Sequence, residues 1–154
     1  MAVRGTRLEL DGRDFLVSGW NLWQAAEWGA DVTPNPPRTY LSAGRSGRES
    51  LAEILDDGMS AGFNMVRIFA HGVLPGYQMQ TSPGVYEERL FRGLDYAVAE
   101  AGRRGLKIVL SLVDNWSPVD SVNSYVGWCA GRGAAHAEFY TNERCRQLYK
   151  NHGE

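Results

Sequence analysis

The stretch Leu106-Lys107-Ile108-Val109-Leu110-Ser111-Leu112-Val113-Asp114-Asn115-Trp116 decides the fold. Its apolar run lacks the alternation of a strand with one wet face, so it reads as a strand covered on both sides, as in a parallel sheet flanked by helices or closed into a barrel. In such architectures the carboxyl ends of strands carry the chemistry. Asp114, Asn115 and Trp116 at that end therefore read as a binding surface; the competing reading is that the two polar residues turn the chain while the tryptophan packs.

Working backwards, Leu90, Phe91, Leu94, Ala97, Val98 and Ala101 form one helical stripe, opened by Glu87 and Glu88 and stopped between Gly102 and Gly105. Before it, Ser82-Pro83-Gly84 closes a loop that follows the strand Phe63–Phe69. Arg67 interrupts that strand, and a buried guanidinium needs a partner; an edge position facing water is the alternative. Ser46-Gly47-Arg48-Glu49 has capping-box spacing, Leu51, Ile54, Leu55 and Met59 continue a second helix, and Gly62 supplies its stop.

Three prolines and several glycines between Gln24 and Arg45 predict a long irregular loop with no helix. Gly19-Trp20-Asn21-Leu22-Trp23 ahead of it reads as the first buried strand. Arg7–Leu10 and Phe15–Val17 flank Asp11-Gly12 as a hairpin. Beyond Trp116 the chain predicts loop to Gly133, one helical turn near Tyr125 and Trp128, and a final helix from about Thr141. The order is hairpin, strand, loop, helix, strand, loop, helix, strand: a β/α repeat with a parallel sheet.

The totals exclude some functions. The chain has 154 residues, 44% hydrophobic and 22% charged, and a net charge of −2 with no basic stripe, which speaks against nucleic acid. No segment approaches the roughly 18 apolar residues of a membrane span, and the first residues lack a signal-peptide core. Cys129 and Cys145 allow one bridge without requiring it. His71, His136 and His152 have no metal-site spacing, so no metal is expected. Seventeen aromatics, many in predicted loops, suit a surface that stacks on sugar rings but also suit a core.

Four stretches together resemble the endo-β-1,4-mannanases of glycoside hydrolase family 5, in their plant and algal branch. Gly19-Trp20-Asn21-Leu22-Trp23 is similar to the family's opening strand. Val66-Arg67-Ile68-Phe69-Ala70 is similar to its arginine strand, Ser82-Pro83-Gly84-Val85-Tyr86-Glu87-Glu88 to its loop and second helix, and Leu110–Trp116 with Tyr125-Val126-Gly127-Trp128 to its third strand and loop.

The resemblance implies an α/β fold, a (β/α)8 TIM barrel, of which this chain supplies an N-terminal hairpin and about the first three β/α units. It implies retaining hydrolysis of β-1,4-mannosidic bonds by two glutamates about 5 Å apart, without a cofactor. No Asn-Glu-Pro motif occurs here. Residues 1–154 are accordingly expected to form the N-terminal portion of a single catalytic barrel, with both glutamates beyond Glu154 and the isolated polypeptide poorly folded.

The site residues implied are Arg67, supporting the nucleophile, and Trp23, His71, Asp114, Asn115 and Trp116 on the substrate. His71 and Phe69 depart from the family's commoner phenylalanine and tryptophan. The loop from Gln24 to Arg45 is expected to lid the cleft in part. The implied partner is a mannan, glucomannan or galactomannan, with a monomeric, secreted enzyme and neither nucleic acid nor membrane as partner. A β-glucanase of the same clan and a non-catalytic sugar-binding protein are the alternatives.

Overall fold

The computed structural model describes residues 1–32 and 45–153. The chain opens with an antiparallel sheet of β1 (Ala2–Arg4), β2 (Arg7–Leu10) and β3 (Arg13–Asp14). Asp11 and Gly12 make the predicted turn with both φ angles positive, at 52° and 77°, the geometry that matches the strands' twist. The first strand had no signature of its own; it completes the hairpin by pairing Ala2 with Glu9.

β4 (Gly19–Leu22) leads into α1 (Ala25–Gly29), then α2 (Gly47–Ser60) and β5 (Met65–Phe69). The short helix corrects the expectation that nothing helical follows Trp23: it ends at Gly29, before the first proline at Pro34. The rest of the expected loop and lid, residues 33–44, lies outside the described residues. Ser46 and Glu49 form the capping box, with Glu49 Oε2 accepting from the Ser46 amide at 2.8 Å and Ser46 Oγ from the Glu49 amide at 3.2 Å. Gly62, with φ of 82°, follows as expected.

A two-strand ribbon of β6 (Gln80–Ser82) and β7 (Val85–Tyr86) replaces the plain loop expected around Ser82-Pro83-Gly84. Then come α3 (Glu88–Arg103) and β8 (Lys107–Ser111), and finally α4 (Val122–Cys129), α5 (Glu138–Thr141) and α6 (Glu143–Gly153). β4, β5 and β8 form one parallel sheet in that order, so β5 is central.

Alternation along β5 sorts its two faces. Val66 and Ile68 are fully buried under α1, α2 and α3 together with Leu51, Leu55, Ala97 and Ala101. α1 and α3 touch backbone to backbone, because a Cβ on Gly93 would collide with the Ala26 carbonyl and one on Gly29 with the Gly93 carbonyl. The Arg104 guanidinium, at the end of α3, grips Asp56 of α2 through Nε and Nη2 and Glu100 through Nη1.

The two-sided burial expected for Leu106–Val113 is not found. Val109 is 43% and Leu110 45% exposed, because β8 pairs on one side only and lies at the sheet's edge. A second cluster joins Val122, Tyr125, Val126 and Phe139 from α4 and α5 to Leu148 and Tyr149 of α6. The Cys129–Cys145 disulfide, Cα atoms 5.1 Å apart, ties α4 to α6 and decides the open question of the cysteines. No helix among the described residues is long and apolar enough to cross a membrane.

Candidate functional site

Arg67 lies opposite Asn21 of β4 and Val109 of β8 in the register of the sheet. Since neighbouring side chains alternate, all three stand on the face away from the helices, with Phe69 and Ser111. The guanidinium donates to Asn21 Oδ1 at 3.3 Å and to Ser111 Oγ at 2.8 Å, and its carbon lies 4.5 Å from the centre of the Phe69 ring. Because β5 is central, Arg67 is not at an edge, while its side chain is half-exposed on the open face. Among the described residues no carboxylate forms an ion pair with it; two neutral acceptors and an aromatic face hold it in place.

The chain leaving β5 turns inward. His71 is 4% exposed, stacks on Phe69 with ring centres 4.6 Å apart, and donates Nδ1–H to the Gly72 carbonyl at 3.2 Å. Burial holds its pKa below the usual value despite that hydrogen bond. It lines a cavity of about 10 Å³ with Met79, Asp120, Tyr125 and His152. Asp120, with φ of 47°, accepts from the amides of Gly72, Met79 and Gln80, and burial nonetheless raises its pKa. Tyr125 Oη donates to Gln80 Oε1 at 2.7 Å. These contacts pin the loop after β5 to the segment after β8. Asp120 does not stand out in the sequence, and Tyr125 enters there only at a predicted helical turn and within the stretch that carries the resemblance.

The chain leaving β8 turns outward. Asp114 accepts from the amides of Trp116 at 2.9 Å and Ser117 at 2.7 Å and from the Ser117 hydroxyl. Burial raises its pKa, but these hydrogen bonds outweigh it and leave the carboxyl below the usual aspartate value. The carboxylate is thus occupied in folding a tight local turn. The product of that turn is Trp116, 86% exposed and held out past the strand end. An indole so placed gains nothing for the core and offers a flat apolar face with a polar edge.

Asn115 is fixed differently. Its Oδ1 meets His136 Nε2 at 2.7 Å, and His136 Nδ1 meets Asn123 Oδ1, in the first turn of α4, at 2.8 Å. His136 was read in the sequence only as a histidine without metal spacing, and no local pattern around it announces this contact. Trp23 is half-buried just beyond β4.

Of the expected site residues, then, Asn115 and Trp116 share the loop at the carboxyl end of β8, with Asp114 shaping it. Arg67 stands on the sheet's open face, and His71 is buried behind Phe69. Alongside this loop is a cavity of about 450 Å³ whose wall includes Gln78, Pro118, Asn123, Trp128 and Arg132. Its amides, guanidinium and indole suit hydroxyl-rich ligands. Among the described residues no group of three His, Cys, Asp or Glu side chains is placed to hold a metal ion.

Residues 1–153 match the family model described as GH family 5 beta-mannosidase-like. The chain is 34% identical over 153 residues to mannan endo-1,4-beta-mannosidase 5 of Solanum lycopersicum, a match covering 97% of this chain and 34% of that protein. It is 34% identical over 148 residues to mannan endo-1,4-beta-mannosidase 1 of Arabidopsis thaliana, covering 96% and 33%. The chain therefore spans about a third of the length of the curated relatives it matches.

Among solved structures, it superposes on the glycoside hydrolase family 5 mannosidase from Rhizomucor miehei with a TM-score of 0.71 at 23% identity, covering 92% of this chain and 38% of that one. The hyperthermostable endo-1,4-beta-D-mannanase from Thermotoga petrophila gives 0.67 at 25% identity, covering 90% and 37%. The fold shared with them is the N-terminal hairpin and first three β/α units of a (β/α)8 barrel.

Proposed function

Because the chain belongs to glycoside hydrolase family 5, in its beta-mannosidase-like group, we propose that residues 1–154 are the N-terminal portion of a single catalytic barrel that cleaves β-1,4-mannosidic bonds. The substrate is a mannan, glucomannan or galactomannan, attacked within the chain and hydrolysed with retention. Two carboxyl groups about 5 Å apart perform such chemistry, one as acid and base and one as nucleophile. We assign both to glutamates outside residues 1–154.

Within those residues, the role left is one wall of the cleft. The observation that carries this reading is Trp116, 86% exposed at a strand's carboxyl end beside the tethered amide of Asn115. The indole stacks on the C–H face of a sugar while the Asn115 amide, and Trp23 across the sheet, complete the contact. Asp114 serves by holding the turn, and His71 by backing Phe69, which in turn supports Arg67. The guanidinium of Arg67 presents positive charge on the open face, where it orients the nucleophilic carboxylate. The Cys129–Cys145 bridge suits an oxidising compartment and so supports a secreted enzyme.

Assaying the full-length protein on mannan, glucomannan and cellulose tests the reading. Manno-oligosaccharides released with retained anomeric configuration, followed by proton NMR, are the expected result. Cleavage of cellulose alone would replace the mannanase by a β-glucanase of the same clan. Binding to mannan without cleavage would leave a non-catalytic sugar-binding protein.

A further inference from the structure

Asn115 is a short, half-buried amide on a loop, and an amide can face a ligand with either its carbonyl or its NH2 group. A sugar hydroxyl meets an acceptor in one case and two donors in the other, so an amide that rotates freely discriminates poorly. In this chain the rotation is blocked from one side by His136, whose Nε2 lies 2.7 Å from Asn115 Oδ1. His136 is itself anchored by Asn123, 2.8 Å from Nδ1, and its ring leans against Tyr140 with centres 6.3 Å apart. One imidazole thus bolts the loop after β8 to the first turn of α4 and to the segment that enters α5.

We propose that His136 is a positioning residue for the polysaccharide site: its Nε2–H donates to Asn115 Oδ1 and turns the Asn115 Nδ2 donors away from the ring, toward sugar hydroxyls. The inference rests on Asn115 touching substrate, as argued above. It takes the ring as protonated at Nε2, which two forms of the imidazole satisfy. The neutral ring protonated at Nε2 donates to Asn115 and accepts at Nδ1 from the Asn123 amide turned end for end; the imidazolium donates to both oxygens. Either way the carbonyl of Asn115 is held toward the histidine. His136 makes no contact with substrate in this scheme and acts only through Asn115.

Steady-state kinetics of the full-length enzyme on soluble mannan, with His136→Ala, His136→Gln, Asn115→Ala and the His136→Ala/Asn115→Ala pair, test it. Loss of one neutral hydrogen bond to the sugar predicts KM raised roughly tenfold in Asn115→Ala and in His136→Ala, with kcat within about twofold. The double variant is expected to be no worse than Asn115→Ala, because His136 has nothing left to hold. His136→Gln retains an amide donor and is expected to recover much of the loss, which also guards against an unfolded alanine variant. If Asn115→Ala raises KM and His136→Ala does not, or if the two losses multiply, the positioning role is overturned and the sugar contact stands. An unchanged KM in Asn115→Ala overturns both, as does a wild-type enzyme inactive on mannan.

Discussion

The core beneath the parallel sheet and the cluster of α4, α5 and α6 bury similar kinds of surface by different means. Under the sheet, aliphatic side chains recur at helix and strand spacing: Leu51 and Leu55 from α2, Val66 and Ile68 from β5, Ala97 and Ala101 from α3, all fully buried. In the C-terminal cluster the contacts are edge-to-face aromatic pairs. Tyr125 meets Trp128, Phe139 and Tyr149 with ring centres 5.2, 5.8 and 5.6 Å away, and a disulfide crosses between the helices. The first region is organised by period, the second by individual side chains and a covalent link. It follows that the second depends on a few residues, while the first spreads its stability widely.

The sharpest way to break that contrast is to remove the link. The bridge closes a loop of 16 residues, which corresponds to about 3 kcal/mol in the chain-entropy account. Cys129→Ser with Cys145→Ser is expected to cost about that much in urea unfolding. Hydrogen exchange should rise in α4 to α6 while the amides of β5 and α3 keep their protection. Equal loosening of both regions would mean that they form one cooperative unit despite their different construction.

A smaller effect with an instructive sign is expected where α1 meets α3. Gly93→Ala improves helix propensity by up to about 1 kcal/mol. Its new methyl has no room against the Ala26 carbonyl and the Ala30 side chain, so overpacking should win and destabilise by about 2 kcal/mol. A stabilised variant would show that the two helices slide apart readily.

Much of the first region was legible because its rules are local. The capping box, the Asp11-Gly12 turn, the α3 stripe and the parallel sheet came from spacing alone; the α2 stripe did so except for Met59, which is 41% exposed, and the hairpin's return strand is Arg13–Asp14 rather than the expected Phe15–Val17. Where the reading failed, the missing information was spatial. Leu106–Val113 has the composition of a strand covered on both faces, whereas among the described residues it has one neighbouring strand and Val109 and Leu110 are half-exposed. α1 was hidden by prolines that follow it. In the site, Arg67 and the Asn115-Trp116 pair were visible as a charge in an apolar strand and a polar end to another. His136 and Asp120 were not, since each acts on residues 21 and more than 40 positions away.

The junction of the two regions gives a pH-dependent test. Burial between them lowers the pKa of His71 and of His152 below 6.5. The unfolded chain therefore takes up protons first as the pH falls. The contribution of these histidines to stability is complete above pH 6.5 and is lost as the pH drops toward their folded values. Asp120, raised by burial, has the opposite slope: its contribution is lost as the pH rises above 3.8 through the folded value. The difference between two proteins isolates the histidine. His71→Phe keeps a ring against Phe69, and its Tm should fall less steeply than the wild type's as the solution is acidified below pH 6.5. Parallel curves would show that His71 is not the group responsible.

The smallest expected effect on stability belongs to Trp116, and it separates fold from site. The side chain is 86% exposed, and the turn beneath it is held by the carboxylate of Asp114 through backbone amides and the Ser117 hydroxyl. Trp116→Ala leaves all of those bonds in place, so its unfolding free energy should stay within about 0.5 kcal/mol of the wild type. If the indole is a sugar platform, the same change weakens mannan binding by roughly 1 kcal/mol, measured by calorimetry on the full-length protein. Asp114→Ala has the opposite dependence. It removes the acceptor that shapes the turn, so it should lower stability and affinity together. A Trp116→Ala protein that is both destabilised and undiminished in binding would return the tryptophan to a packing role and leave the loop after β8 as a turn.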